Sequence, residues 1–512
     1  MQDIKIWEEK IKEKRYKIKF REFVKELGSW LVLNLYKNKG KICRYPETER
    51  IKKLGDNFWE DAPNLGQEYN ISEDFFYNMK SLYDTIPFQY LYHIGKSENC
   101  DFSDVMLLGK NVYLGFTVMN TVENIAYSAF CYPYITDVYN SFMVSFHSSN
   151  VYMSAGITNS QNVFYSKYIA DSYGVYFSSN LIGCQECIGC NDLQNKSYCI
   201  GNKQYSKEEY TKKKEDTLKD KNSFLSFYKH ISTRKATNIG SENVSGNSII
   251  KSSNIENGGC IANMHNGYNI LIGDGGEGTT NHVYDAIDIG HTTNHIYAGV
   301  GIGDASSYIY CSSQITGSNK IYYSYFLDKC SYCIGCIGLK NKSFCILNKQ
   351  YSKEEWYELA NKIFSQMEAD GILGDFFPGE LNPFYFNDTM AYLIDDSFTK
   401  EEVEKEGYMW RDEKIKVDIP EGAEIIYTKP VGNDFNRSEK GNENIHSLQD
   451  YQGFDSNGNW FINPEIMKKV IQDENGNVYK IVPMEYEFLM KHGLPLPEIH
   501  WLDRIKLGFK FK

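Results

Sequence analysis

The chain has 512 residues, 42% hydrophobic and 24% charged, with a formal net charge of -12. This is the balance of a folded globular protein and argues against a disordered or collagen-like chain. No run approaches the 18 or more apolar residues that a bilayer span needs, so no membrane association is expected. Leu27–Tyr36 is short and follows a strongly charged stretch, which does not read as a secretory signal. Forty Tyr against 12 Pro suit stacked strands with short polar turns.

Residues 1–54 form a basic arm, with 16 Lys+Arg against 8 Asp+Glu, a net of +8. The other 458 residues hold 39 basic and 59 acidic side chains, a net of -20. Within the arm, residues 1–26 predict one charged amphipathic helix, with Ile4, Trp7, Ile11, Ile18 and Phe23 roughly on one face. Such an arm could hold an anionic partner, nucleic acid included, or its charges could simply solvate a helix. Residues 55–97 read as a linker or cap.

Residues 98–204 carry a repeat. A β-branched residue, usually followed by an aromatic and often preceded by Asn, recurs at Val112, Ile125, Val138, Val151, Val163 and Val175, spaced 13, 13, 13, 12 and 12. Residues 241–350 repeat the series at Ile270, Val283, Ile296, Ile309 and Ile321, spaced 13, 13, 13 and 12. The fold class expected is mainly β, a duplicated parallel β-solenoid of 12–13-residue repeats with capping helices and small α+β terminal regions. One repeat cannot bury its apolar face alone, whereas a stack buries a continuous core. The recurring Asn fits a corner that tolerates left-handed backbone and stacks in a ladder. Spacing alone leaves open whether a repeat is a full coil or half of one.

Each half ends alike. Cys184, Cys187, Cys190 and Cys199 are followed by Asn202-Lys203-Gln204-Tyr205-Ser206; Cys330, Cys333, Cys336 and Cys345 by Asn348-Lys349-Gln350-Tyr351-Ser352. Ser206 with Glu209 and Ser352 with Glu355 are capping boxes. They predict helices over 207–231, in an insertion spanning 205–240 with a break near Lys221-Asn222, and over 353–369, opening a cap region of 351–425. A short helix is expected from Thr399 to Glu406. In the last region, 426–512, residues 430–460 read as a polar mobile loop. Asn475-Gly476 marks a hairpin turn, and Pro483 opens a helix running to His492 and stopped by Gly493.

The cysteines carry the strongest chemical signal. Three at spacing three plus a fourth nine residues on could place four thiolates around zinc in each half. An iron–sulfur run would need a closer fourth Cys and a following Pro. Core packing of small buried thiols is the alternative. With 13 Cys, mostly inside the repeats, free thiols or metal ligands in a reducing, cytoplasmic setting are expected rather than disulfides. His265, His282, His291 and His295 lie near Asp274, Glu277, Asp285 and Asp288, a set that could serve carbohydrate chemistry. His282 and His295, however, fall on the 13-residue period as corner residues. Gly273–Gly278 lacks the Lys-Ser/Thr of a phosphate loop and reads as a turn.

The doubled Cys-x-x-Cys-x-Gly-Cys…Lys-x-x-Cys-Ile-x-Asn-Lys-Gln-Tyr-Ser-Lys-Glu-Glu signature resembles a family of candidate-phyla (Patescibacteria-type) bacteria and metagenomic phages. Phe75-Phe76, Ile86-Pro87, Gly374–Pro378, Asn382–Asn387, Gly407–Trp410 and Gly493–Pro497 also match, covering about 55–500. The resemblance implies architecture and no activity; for a phage-encoded chain it implies a virion location. Family members carry paired Cys-x-x-Cys zinc ribbons at the termini; here only Cys43 stands near the first, and Val470–Lys480 holds no Cys. The expectation is a non-catalytic scaffold with protein partners or a second copy of itself. The alternatives are nucleic-acid association through residues 1–54 and a carbohydrate-active β-helix enzyme.

Overall fold

The computed structural model describes residues 4–16, 18–231, 238–270, 272–274, 280–412, 423–428 and 447–508. The chain divides into two compact units, Met1–Tyr92 with Lys235–Arg411 and His93–Arg234 with Asp412–Lys510. Each is built on a parallel β-solenoid, with about 20 turns in all.

A repeat is one full coil. Val151 pairs with Val163, Val163 with Val175 and Val175 with Cys187, while Ile157, Ile169 and Leu181 form a second in-register column. Each 12-residue coil therefore places two short strands on opposite faces. The coil is made of triplets: from Asn150 to Tyr198 every third residue has positive φ, after which the chain bends and the next side chain enters the bore. Coils of 13 residues stretch one step to four, as from Phe130 to Tyr134, Asp288 to Thr292 and Gly301 to Ala305. That extra corner residue accounts for the change of period from 13 to 12 along both halves.

The bore alternates apolar and hydroxyl columns. Val151, Ile157, Val163, Ile169, Val175 and Leu181 are fully buried or nearly so. Between them stand Ser154, Ser160, Ser166, Ser172 and Ser178, also buried. Each serine meets the same need: the corner bend turns a backbone N–H into the bore, where only a side chain can accept it. Ser166 Oγ donates to the Phe164 carbonyl at 2.9 Å and accepts the Ser178 N–H at 3.2 Å. The second solenoid repeats this with Ser312 and Ser324, the Ser324 N–H reaching Ser312 Oγ at 3.0 Å. Outside, the corner Asn residues form an amide ladder, Asn111 to Asn124 and Asn124 to Asp137 both at 3.0 Å.

Both capping boxes form, opening helices Lys207–Thr217 and Lys353–Ala369. The predicted break lies at the 3-10 turn Lys221–Ser223, before helix Phe224–Lys229. At each solenoid end a two-residue antiparallel strand, Lys203–Gln204 or Lys349–Gln350, lies on the last coil and blunts its edge. Tyr210 packs on Tyr198, and buried Trp356 donates its Nε1–H to the Cys345 carbonyl at 3.3 Å.

Two sequence expectations are corrected. Residues 1–26 form two helices, Lys5–Arg15 and Phe20–Gly28. The break is held by the solenoid: Tyr268 Oη and Asn269 Nδ2 donate to the freed Ile18 carbonyl at 3.1 and 2.8 Å. The short helix expected from Thr399 to Glu406 is present as Lys400–Lys405, capped by Thr399 and Glu406. The expected loop 430–460 is ordered in its described part, where Leu448–Tyr451 forms a 3-10 turn and Gln452–Phe454 pairs with Trp460–Ile462. Asp455 and Asn459 close that hairpin, and Trp460 packs edge-on to Phe454 at 5.3 Å. The Asn475-Gly476 hairpin and the helix Pro483–His492, ended by left-handed Gly493, stand where the sequence places them. Among the described residues no helix is long and apolar enough to cross a membrane.

Candidate functional site: the cysteine coils and the solenoid flanks

The structure brings the predicted cysteines together inside the last coils. Cys184 and Cys190 take the two serine columns, and Cys187 and Cys199 continue the valine column. Cys184 N–H donates to Ser172 Oγ and Cys190 N–H to Ser178 Oγ, each at 3.0 Å, as a serine there would. The Asn202 N–H in turn reaches Cys190 Sγ at 3.4 Å. Cys330, Cys333, Cys336 and Cys345 repeat the plan, with Cys336 N–H on Ser324 Oγ at 3.0 Å and Asn348 N–H on Cys336 Sγ at 3.5 Å. Cys187 pairs in register with Cys199, and Cys333 with Cys345.

In each quartet one central thiol hydrogen-bonds its neighbours. The bond from Cys187 draws Cys184 and Cys190 below the ordinary thiol range, and Cys187, as donor, is held above it. In the second quartet burial, then donation to its neighbours, holds Cys333 above it, while Cys330 and Cys345 are drawn below by accepting from Cys333. Burial also raises Cys336, and pushes Cys131 up to about 12. The arrangement is a hydrogen-bonded thiol cluster continuous with the serine ladder. Among the described residues no group of three or more His, Cys, Asp or Glu side chains is placed to hold a metal ion. The donors are soft enough for zinc, and each quartet gathers its four thiols in adjacent coils.

The histidines do not converge on one centre. His282 and His295 stack at 5.0 Å, and His295 stacks on Tyr308 at 4.5 Å, as one corner column with positive φ. Burial, with His282 adding a smaller effect, lowers the basicity of His295. His265 meets Ser253 Oγ at 2.6 Å. Asp285 is committed elsewhere: its Oδ2 accepts from Arg15 Nε at 2.6 Å, and Arg15 also pairs with Glu26 at 2.7 Å. One guanidinium serves the buried Asp285 and the half-buried Glu26, and desolvation lifts both above the usual range, Asp285 to about 6. The Asp274 side chain and residues 275–279, Glu277 and most of the predicted glycine turn among them, lie outside what is described.

The aromatic stripe beside each valine or isoleucine column is covered by helices of the same unit. In the first solenoid Phe488 lies 4.6 Å from Tyr139 and 6.0 Å from Tyr152. Beneath it, buried Glu485 accepts from Asn140 at 2.6 Å and from Tyr152 at 3.4 Å, with Arg504 3.5 Å away. In the second solenoid Tyr16 lies 5.5 Å from Tyr284, Phe364 lies 5.3 Å from Tyr322, and Glu8 accepts from the Tyr322 hydroxyl and from Lys320. The basic arm is thus part of the second solenoid's coat. Lys10 pairs with Glu368, Lys14 with Asp375, Arg21 with Asp395 and Glu402, and Lys25 with Glu406.

Two residues with chemical character escaped the sequence reading. Lys221 stands at the expected helix break, and Trp460 lay in what read as a loop; only the fold brings them together. No protein-family model, curated protein or solved structure matches this chain.

Proposed function

We propose that the chain is a non-catalytic structural or interaction scaffold, with a virion or assembly component as the natural sub-case for a phage-encoded chain. One observation carries the reading: among the described residues, the bore hydroxyls and thiols and the most buried ionic groups of the solenoids are taken up by the fold itself. Bore serines and corner cysteines accept backbone N–H groups, Asp285 holds Arg15, and Glu485 holds Asn140 and Tyr152. A catalytic set needs an acid–base pair or nucleophile left free to face a substrate. The ion pairs of Lys10, Lys14, Arg21 and Lys25 support the scaffold over nucleic-acid binding through residues 1–54, because charges already neutralised release few counterions from a phosphate backbone.

The test is incubation of the purified full chain with defined polysaccharides and with single- and double-stranded nucleic acids, followed by mass spectrometry of the products. The scaffold reading expects every substrate back intact and only weak nucleic-acid binding at physiological salt. Turnover abolished by a single substitution in the chain would overturn it. Binding that falls steeply with salt and vanishes on Arg21→Ala and Lys25→Ala would replace it with the nucleic-acid reading.

A further inference from the structure

The unit of the first solenoid carries a cleft of about 920 Å³ between its last coils, the helix Lys207–Thr217 and the hairpin tip around Trp460. Its walls are aromatic. Tyr173 is 47% exposed and Phe454 49% exposed, and Tyr198 and Trp460 also line it. Large rings left open to solvent around a concavity are more informative than scattered apolar residues, because each would gain from being covered.

The cleft also holds an uncompensated cation. Lys221 Nζ lies 5.1 Å from the centre of the Phe224 ring and 5.7 Å from that of Trp460. Among the described residues it makes no ion pair, and burial alone pushes its ammonium down to about 8, with no neighbouring charge acting on it. Its neighbour Lys214, by contrast, is closed by Glu186 at 2.7 Å. A half-buried ammonium beside two ring faces and the Gly493 end of helix Pro483–His492 has no ion-pair partner among the described residues, and an anion would complete it.

Hydrogen-bonding capacity, more than charge, selects the anion's carrier. Lys207, Lys214, Lys219 and Lys221 face Glu186, Glu215 and Asp216, four cations against three carboxylates. A phosphodiester chain carries one charge per nucleotide, as a polyuronate does per ring, but its phosphates offer those carboxylates no hydrogen-bond donor. A sugar acid brings a single carboxylate per ring, hydroxyls that donate to Glu215 and Asp216, and an apolar C–H face that lies flat on Tyr or Trp.

We propose that this cleft is a binding site for acidic glycans, in which Lys221 receives a uronate carboxylate and Tyr173, Tyr198, Phe454 and Trp460 stack on the sugar rings. It is a recognition site and not a catalytic one: Glu186 is tied to Lys214, and Glu215 and Asp216 are exposed on the helix. The inference goes beyond the scaffold reading and stands on separate residues, so either can fail alone.

The test is calorimetric titration of the full chain with a galacturonate tetramer, beside the uncharged galactose tetramer and an oligothymidylate. Saturable binding of the uronate is expected, at least about tenfold tighter than either comparison. Since binding needs the protonated amine, affinity falls about tenfold between pH 7 and 9. Lys221→Met removes both the affinity and the pH dependence, whereas Lys221→Arg keeps the affinity and loses the pH dependence. Circular dichroism confirms the fold of each variant. Absence of uronate binding by the correctly folded wild type, equal binding by Lys221→Met, or preference for the oligothymidylate would each overturn the proposal.

Discussion

The serine ladder makes a sharp prediction at Ser166. Its hydroxyl is buried, donates to Phe164 O at 2.9 Å and accepts the Ser178 N–H at 3.2 Å. Ser166→Ala removes both bonds and leaves the Ser178 N–H facing a bore lined by valine and isoleucine. An orphaned buried donor costs about 1–3 kcal/mol, while the Phe164 carbonyl keeps the Phe177 N–H at 3.2 Å and adds little. Ser166→Cys should cost less, because Cys190 already performs this task two coils further along the same column, accepting the Asn202 N–H at 3.4 Å. The assay is urea denaturation followed by circular dichroism, with hydrogen exchange at the Ser178 amide as the local probe. Ser166→Ala should lower stability by about 2 kcal/mol and speed exchange at Ser178, with Ser166→Cys closer to wild type. A loss under about 0.5 kcal/mol for the alanine variant, the level of an ordinary surface change, would refute the reasoning.

Further expectations follow from the buried charges. Arg504→Met strands Glu485 without its cation and should cost about 3–5 kcal/mol in the first-solenoid unit; Arg504→Met with Glu485→Met should recover most of it. Equal losses in single and double variants, measured by thermal unfolding, would show that the pair is not coupled. Asp285 titrates from 3.8 to about 6 on folding. A carboxyl raised in this way favours the folded state at low pH, and that contribution is lost as pH rises from about 4 to 6. At about 1.4 kcal/mol per pKa unit the full span is about 3 kcal/mol. Wild type should therefore lose about 3 kcal/mol relative to Asp285→Asn across that window, and a difference constant with pH would contradict the assignment. Glu8→Ala with Tyr322→Phe should loosen residues 5–15, read as faster proteolysis within that helix; unchanged cleavage would mean the helix is held by its apolar face alone.

The solenoid was legible because its physics is local and periodic. A buried β-branched residue every 12 or 13 positions, Asn at a corner and a capping box after each stack are all short-range signals. The helices at Lys207 and Lys353 and the stop at Gly493 follow from the same kind of cue. The triplet geometry was hidden, because its left-handed residues include Tyr165, Tyr168, Met153 and Phe177, types that give no hint of positive φ. Each costs about 1–2 kcal/mol in isolation, so only the stacked neighbours of the finished coil sustain them. The site was harder still. The cysteine spacing showed that four thiols meet, but zinc coordination and continuation of the serine columns give the same spacing, and the backbone donors at Cys190 and Asn202 show only that the thiols sit in those columns. Arg15 with Asp285, and Lys221 with Trp460, join residues far apart in the chain, which no local pattern reveals.

The most direct test of the claim that the fold consumes its own polar groups compares the stability of Cys190→Ser with that of Cys187→Ser, with zinc measured by mass spectrometry on each protein. If the cysteines continue the ladder, Cys190→Ser stays within about 1 kcal/mol of wild type, since Ser178 already does that work. Cys187→Ser, which puts a hydroxyl into the valine column, loses about 1–3 kcal/mol, and no variant changes the zinc content. Equal, large losses for both variants, each with departure of one zinc per chain, would contradict the account and make the last coil of each solenoid a metal site.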